Sequence, residues 1–152
     1  MIRIVEDDLS GAPVAALLRY HLEQMHLNSP PGSVFAFDIG RLRAPDVTFW
    51  TAWDREPLLG CGAMKELDAG NGEIKSMRTA PEHLRKGAAA ALLDHIVAVA
   101  HERGYRRLSL ETGSGPAFDP ALALYRRRGF MDGDAFGDYE RTDFNQFLHL
   151  DL

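Results

Sequence analysis

One cysteine, Cys61, stands in 152 residues, so no disulfide forms within the chain and a reducing compartment is expected. Flanked by Gly60 and Gly62 in an apolar segment, its thiol is expected to be buried and inert rather than nucleophilic. No apolar run approaches the ~20 residues that a membrane span requires. The N-terminal Met1-Ile-Arg-Ile-Val-Glu-Asp-Asp8 lacks the apolar stretch of a signal peptide, so the cytoplasm is the expected location and no membrane partner is expected. Excess positive charge is missing too. With 17 Lys and Arg against 22 Asp and Glu, a formal net charge of -5, a nucleic-acid partner is disfavoured, because such binders normally carry a basic surface. Both common glycine-rich phosphate loops are absent: no Gly is followed after four residues by Gly-Lys-Ser/Thr, and no three-glycine fingerprint follows the first strand. His21 and His26 are five apart and lie off a common helix face, so no metal pair is expected.

What is present describes one domain, residues 1–152, with enough apolar residues, 45%, for a core without staples. Ile2, Ile4 and Val5 give a short strand, ended by Glu6-Asp7-Asp8. Ser10 is placed to cap the next helix, with Pro13 in its first turn, and Val14, Leu17, Leu18, His21, Leu22 and Met25 recur at helical spacing. Pro30-Pro31-Gly32 ends that helix, and a short helix is predicted within Val34 to Leu42. Three strands follow, from Val47, from Leu58 and from Glu73 to Thr79, with turns at Asp54 to Pro57 and Asp68 to Gly72. A long helix is predicted from about Leu84 to Arg103, burying Leu92, Leu93, Ile96, Val97 and Ala100, with Gly104 as its left-handed terminator. Arg107 to Thr112 reads as a strand, about Pro120 to Arg128 as a helix stopped by Gly129, and Phe130-Met131 and Asn145 to Leu150 as the last strands. The order β, α, α, β, β, β, α, β, α, β, β is a mixed α+β domain in which one strand–helix–strand unit crosses the central sheet.

Basic residues gather at Arg85-Lys86, Arg106-Arg107 and Arg126-Arg127-Arg128. The first cluster is the informative one. Leu84-Arg85-Lys86-Gly87-Ala88-Ala89 brings a residue without a side chain, small methyl groups and two cations to a helix start. Unpaired N–H groups and the positive end of the helix dipole favour an anion there, and the stretch reads as a pyrophosphate seat.

That stretch resembles the coenzyme A site of the GNAT superfamily of N-acetyltransferases, whose signature is Gln/Arg-x-x-Gly-x-Gly/Ala after a strand. Gly87 and Ala89 fit it, while Leu84 stands where a polar residue is usual. Thr79-Ala80-Pro81 replaces a common Val-x-Pro, and Ala121-Leu-Ala-Leu-Tyr125-Arg-Arg-Arg-Gly129-Phe130 matches the family's Ala-x-x-Leu-Tyr-x-x-x-Gly-Phe helix. The order of elements matches as well, so the resemblance covers essentially the whole chain. Ser29-Pro-Pro, Phe49-Trp50, Gly60-Cys-Gly and Leu110-Glu-Thr-Gly113 are similar to small bacterial members with poorly defined acceptors. The resemblance implies a splayed mixed β-sheet flanked by helices, with acetyl-CoA as co-substrate between the fourth and fifth strands and no metal. Met77, Arg78 and Thr79 would pair their backbone with the pantetheine arm, Leu84, Arg85, Lys86, Gly87, Ala88 and Ala89 would surround the pyrophosphate, and Ala121 would lie beside the cofactor. The implied acceptor is a small-molecule or peptide amine, and homodimers are common in the superfamily.

Moving an acetyl group from a thioester to an amine requires an amine that loses a proton, a stabilised oxyanion and a protonated thiolate. Glu73 lies fourteen positions before Gly87, the spacing at which histone-type members carry their base. By strand alternation it shares a face with Lys75, Met77 and Thr79. Glu111 is the alternative base, or a partner for Arg78 or Lys75. Tyr125 resembles the family's acid for the leaving thiolate, and the N–H near Met77 would meet the oxyanion. Phe35, Phe37, Trp50, the Asn28 to Ser33 loop and Tyr139-Glu140-Arg141 are candidate walls of the acceptor pocket. Arg41, Arg43 and Arg78 suit an acidic acceptor, and Glu73 and Glu111 a cationic one. The contrasting expectation is a non-catalytic acyl-CoA-binding or sensory domain on the same fold, suggested by Leu84 and by the lack of one unequivocal base.

Overall fold

Turns of two or three residues leave successive strands little choice but to pair with one another. They join β2 (Val47–Asp54), β3 (Leu58–Asp68) and β4 (Asn71–Thr79) into an antiparallel meander. The computed structural model describes all 152 residues. In it β1 (Ile2–Glu6) lies antiparallel to β2, and the chain crosses from β4 through α3 (Ala88–Glu102) to β5 (Arg107–Thr112), parallel to β4. β7 (Gln146–Asp151) pairs antiparallel with β5, and β6 (Met131–Asp132) with β7. The resulting open mixed sheet has the order β1-β2-β3-β4-β5-β7-β6. Three further helices complete it: α1 (Ala12–Asn28), α2 (Ile39–Leu42) and α4 (Asp119–Arg127). The element order is the one predicted from the sequence. No helix is long and apolar enough to cross a membrane.

Both faces of the sheet are covered. Leu92, Leu93, Ile96 and Ala100 of α3 pack on Trp50, Ala52, Met64, Ile74, Leu108 and Leu110. Val14, Leu17 and Leu18 of α1 cover Phe49, Cys61 and Ala63 on the other face. Burial on two sides explains why the central strands read as near-continuous apolar runs rather than as alternation.

Strands β4, β6 and β7 begin within two residues of expectation, and three larger differences concern the helices. Ser10 does not cap α1: its hydroxyl donates to Asp8 at 2.6 Å, and Gly11 takes the cap position. The helix expected within Val34 to Leu42 is a single turn, with the Asp38 carboxylate accepting the Arg41 N–H at 2.9 Å. The long helix begins at Ala88 rather than near Leu84. Pro81–His83 forms a 3-10 turn, and Arg85 and Gly87 then take φ of 63° and 89°, outside the helical well.

The feature that positions the site is a splay. β4 and β5 pair only through Asn71–Arg107, Gly72–Leu108 and Glu73–Ser109. Beyond Glu73 the two strands part, and the β5-facing edge of β4 carries no strand partner. A bulge reinforces the parting, because Gly62 of β3 lies between the pairs Cys61–Arg78 and Ala63–Lys75 and so opposes both Ser76 and Met77. Ser76 takes φ of 57° there, a strain on the order of 1 kcal/mol for a residue with a side chain. A Cβ at Gly62 would stand 2.5 Å from the Met77 sulfur, so a side chain there would require Met77 to move.

Candidate active site

The bulge changes which side chains meet. Strand alternation places Glu73, Lys75, Met77 and Thr79 on one face, but the extra residue at Ser76 shifts the phase by one. Met77 therefore packs with Ile74 against the α3 side, and Arg78 joins Glu73 and Lys75 on the α1 side. Nothing in the residue types around Ser76 marks a bulge, so this rearrangement was not legible in advance.

The parted strands open a cavity of about 360 Å³. Glu73 to Arg78 of β4 form one wall, Leu110 to Thr112 of β5 the other, and α1 and α4 close it with His21, Met25, Ala121 and Tyr125. A second cavity of about 350 Å³ adjoins it, lined by Val34 to Phe37, Arg41, Lys65, Leu67 and Phe136 to Tyr139. Phe35, Ala36, Glu73 and Lys75 border both.

Two carboxylates face this space, and their surroundings differ. Glu73 is buried at 4% exposure, and its Oε2 accepts from the Tyr139 hydroxyl at 2.5 Å and from Lys75 Nζ at 3.4 Å. Lys75 also donates to the Tyr139 oxygen at 2.8 Å and to the Phe35 carbonyl at 3.1 Å. Burial draws the lysine below its usual range, against the pull of Glu73. Burial also raises the Tyr139 phenol, and the charge of Glu73 adds to the effect. The cluster is thus a buried ion pair closed by a neutral phenol.

The Glu111 carboxylate has no ion pair and no hydrogen bond within the chain; Lys75 goes to Glu73 instead, and Arg78 donates from Nε to His21 Nδ1 at 2.9 Å. Burial pushes the Glu111 carboxyl up to about 7, outweighing the attraction of Lys75, with the negative charge of Glu73 acting in the same direction. His21, expected on the helical stripe of α1 and not as a metal ligand, is a neutral acceptor. Burial, then the positive charges of Arg78 and Lys75, push it down to about 3.

Tyr125 reaches the first cavity from α4, packing edge-on against Phe130 at 5.7 Å between ring centroids. Its hydroxyl makes no hydrogen bond within the chain, and burial raises the phenol above its usual range. Ala121, one turn earlier on α4, lines the same cavity. Trp50 is not a wall: it is 2% exposed in the α3-side core and stacks edge-on to His95. Arg43 is committed to the Leu9 carbonyl at 3.1 Å. Cys61, fully buried, donates to the Ser76 carbonyl, and burial pushes its thiol up to about 12.

At the start of α3, Ala91 donates to the Gly87 carbonyl, so the amides of Ala88, Ala89 and Ala90 precede the first intrahelical bond. Leu84 is exposed, and Lys86 Nζ lies 2.9 Å from His83 Nδ1. Space beside Gly87 is open, an added Cβ meeting nothing nearer than Ile2 at 3.9 Å, so it is the left-handed backbone that calls for glycine. These groups fit the coenzyme A moiety of acetyl-CoA at two levels. Free helix amides suit its phosphates, and the unpaired β4 edge suits its amide-bearing arm. Ser76 Oγ, a buried hydroxyl without a partner, lies on the wall where that arm would run. No group of three or more His, Cys, Asp or Glu stands ready for a metal ion.

Comparison with known proteins bears directly on this site. Residues 14–130 match the acetyltransferase (GNAT) family. The chain is 53% identical over 142 residues to the uncharacterized N-acetyltransferase YsnE of Bacillus subtilis (strain 168), covering 93% of this chain and 94% of that one. It is 47% identical over 152 residues to the uncharacterized N-acetyltransferase YedL of Escherichia coli (strain K12), covering 100% and 96%. Among solved structures, one described as an acyl-CoA N-acyltransferase from Klebsiella pneumoniae superposes with a TM-score of 0.81 at 25% identity, covering 100% of this chain and 98% of that one.

Proposed function

The chain belongs to the acetyltransferase (GNAT) family, and we propose that it transfers an acetyl group from acetyl-CoA directly to a primary amine in a ternary complex, with Glu111 as base and Tyr125 as acid. The observation that carries this reading is the pairing of an uncompensated carboxylate and an unbonded phenol on one cavity, where β4 and β5 part.

Acetyl-CoA, when bound, supplies an acyl group activated on sulfur. The amides of Ala88 to Ala90, beside Arg85 and Lys86, hold its phosphates, and the free edge of Met77 to Thr79 aligns its arm as an added strand would. Glu111, with its carboxyl near 7, is deprotonated often enough at neutral pH to take a proton from the incoming ammonium and basic enough to do so efficiently. Glu73 is less suited, because one of its two oxygens, Oε2, is engaged by both Tyr139 and Lys75. Its part is to hold Lys75 and Tyr139 in place and so to shape the wall between the two cavities. Tyr125, whose phenol stays protonated because burial raises it, stands on the cavity as the hydrogen-bond and proton donor to the departing thiolate. The amide at Met77, on the bulged edge, is the donor for the developing oxyanion.

Calorimetric titration with acetyl-CoA, beside a Gly87→Glu variant, tests the cofactor assignment. Micromolar binding to the natural chain and loss of at least about tenfold in the variant are expected, because a side chain strains the left-handed backbone at Gly87 and its carboxylate repels the phosphates. Well-folded natural chain that fails to bind would remove the assignment. Binding without CoA release in any amine screen would replace it with the acyl-CoA-binding domain.

A further inference from the structure

We infer that the second cavity reads an acid group on the acceptor, so that the preferred substrate is an amine that also carries a carboxylate, gripped by Arg41 and Lys65. This rests on the acetyl-transfer reading for the word acceptor, while the anion site itself stands on separate residues.

Three cations surround one aromatic ring. Arg41 Cζ lies 4.0 Å from the Phe37 centroid, Lys75 Nζ 4.1 Å and Lys65 Nζ 5.6 Å. Only Lys75 has a carboxylate within 4 Å, Glu73; neither Arg41 nor Lys65 takes part in any ion pair. The other acids nearby are accounted for. Asp38 accepts the Arg41 backbone N–H as the α2 cap, and Asp138, the one remaining acid on the cavity wall, is exposed. Arg41 and Lys65, held near the same ring without a paired carboxylate, repel one another and the Lys75 charge, and an entering anion relieves that repulsion. Contact with the Phe37 face leaves the edge of the Arg41 guanidinium for a carboxylate fork.

Position supports the same assignment. Lys65 is the register partner of Glu73 on β3, and Glu73 pairs with Ser109 on β5, two residues before Glu111 on the same face. The anion grip therefore lies one strand beyond Glu73 and the base one strand before it, with strands spaced about 5 Å apart. A molecule spanning the shared border of Phe35, Glu73 and Lys75 presents its acid to Arg41 and Lys65 and its amine to Glu111. Its body would lie against Phe35, Phe136 and Tyr139, which already pack edge-on at 5.3 and 5.1 Å between centroids. An aryl or branched apolar carboxylate suits these walls.

The site is tested by NMR titration of isotope-labelled protein with 3-phenylpropionate and, in parallel, its neutral analogue 3-phenylpropanamide. The acid at millimolar concentration is expected to shift the amides of Phe37, Arg41, Lys65 and Tyr139, and the neutral analogue to leave them in place. In an Arg41→Met, Lys65→Met double variant the apparent Kd for the acid should rise at least about tenfold. Equal shifts from both probes, no shift from the acid, or an unchanged Kd in a double variant with a native-like spectrum would overturn the proposal. Acetyl-CoA added to the same samples reports separately at Met77 to Thr79 and Gly87 to Ala90. Silence there with the acid shifts intact would sink the transfer reading and leave the anion site standing.

Discussion

The two walls of the splayed cleft carry the same functional group in opposite conditions. On β4, Glu73 is closed in by Lys75 and Tyr139, with hydrogen bonds of 3.4 and 2.5 Å. On β5, Glu111 faces the same cavity with no partner and a carboxyl pushed up to about 7. Depth of burial does not separate them, since Glu73 is the more buried. Compensation does: a paired charge becomes a structural element, whereas an unpaired one is held near the point at which it exchanges a proton at neutral pH.

The sharpest way to break the comparison is to neutralise the open side. Glu111→Gln should lower kcat by about 10³-fold in steady-state CoA release, within the range of a lost general base. The same change should help the fold. A carboxyl whose folded pKa is raised from 4.5 to about 7 contributes stability that is complete below about pH 4.5 and lost as pH rises through about 7. Glu111→Gln should therefore raise Tm by a few degrees at about pH 8 and leave it nearly unchanged at about pH 4.5, as read by thermal melts; the underlying gain is about 1–2 kcal/mol after screening of a partly exposed group.

Opening the closed side should do the reverse. Lys75→Met leaves Glu73 buried without its cation, an expected loss of about 3–5 kcal/mol by denaturant unfolding. Activity loss in that variant should follow from the fold and recover in part at lower temperature. Tyr125→Phe gives the smallest change to the protein and still a clear one to the reaction. Its hydroxyl makes no hydrogen bond within the chain, so Tm should move by no more than a degree or two, while kcat falls about a hundredfold. A Tyr125→Phe chain with full turnover would remove the acid from the scheme.

Much of this was legible in the residues, and the failures have a common cause. Turn chemistry at Asp54 to Pro57 and Asp68 to Gly72 fixed the meander, although β4 already begins at Asn71, and Gly104 and Gly129, at φ of 78° and 96°, ended α3 and α4 where expected. What did not show was backbone geometry that no side chain announces. Arg85 in a left-handed conformation delayed α3, and Ser76 in another shifted the phase of β4. That single bulge turned Met77 against the α3-side core and brought Arg78 to His21 rather than to Glu111. Trp50 was misplaced for a different reason, because an aromatic residue in a strand buried on both sides has no pattern to say which layer it joins.

The central claim is that the uncompensated carboxylate does the proton transfer. It is met most directly by the pH dependence of kcat/KM for amine-dependent CoA release in the natural chain, in Glu111→Gln and in Glu73→Gln. A rising limb with an apparent pKa near 7 is predicted for the natural chain. That limb should persist in Glu73→Gln and vanish in Glu111→Gln. A limb that survives Glu111→Gln and disappears with Glu73 would contradict the assignment and place the base on the closed wall instead.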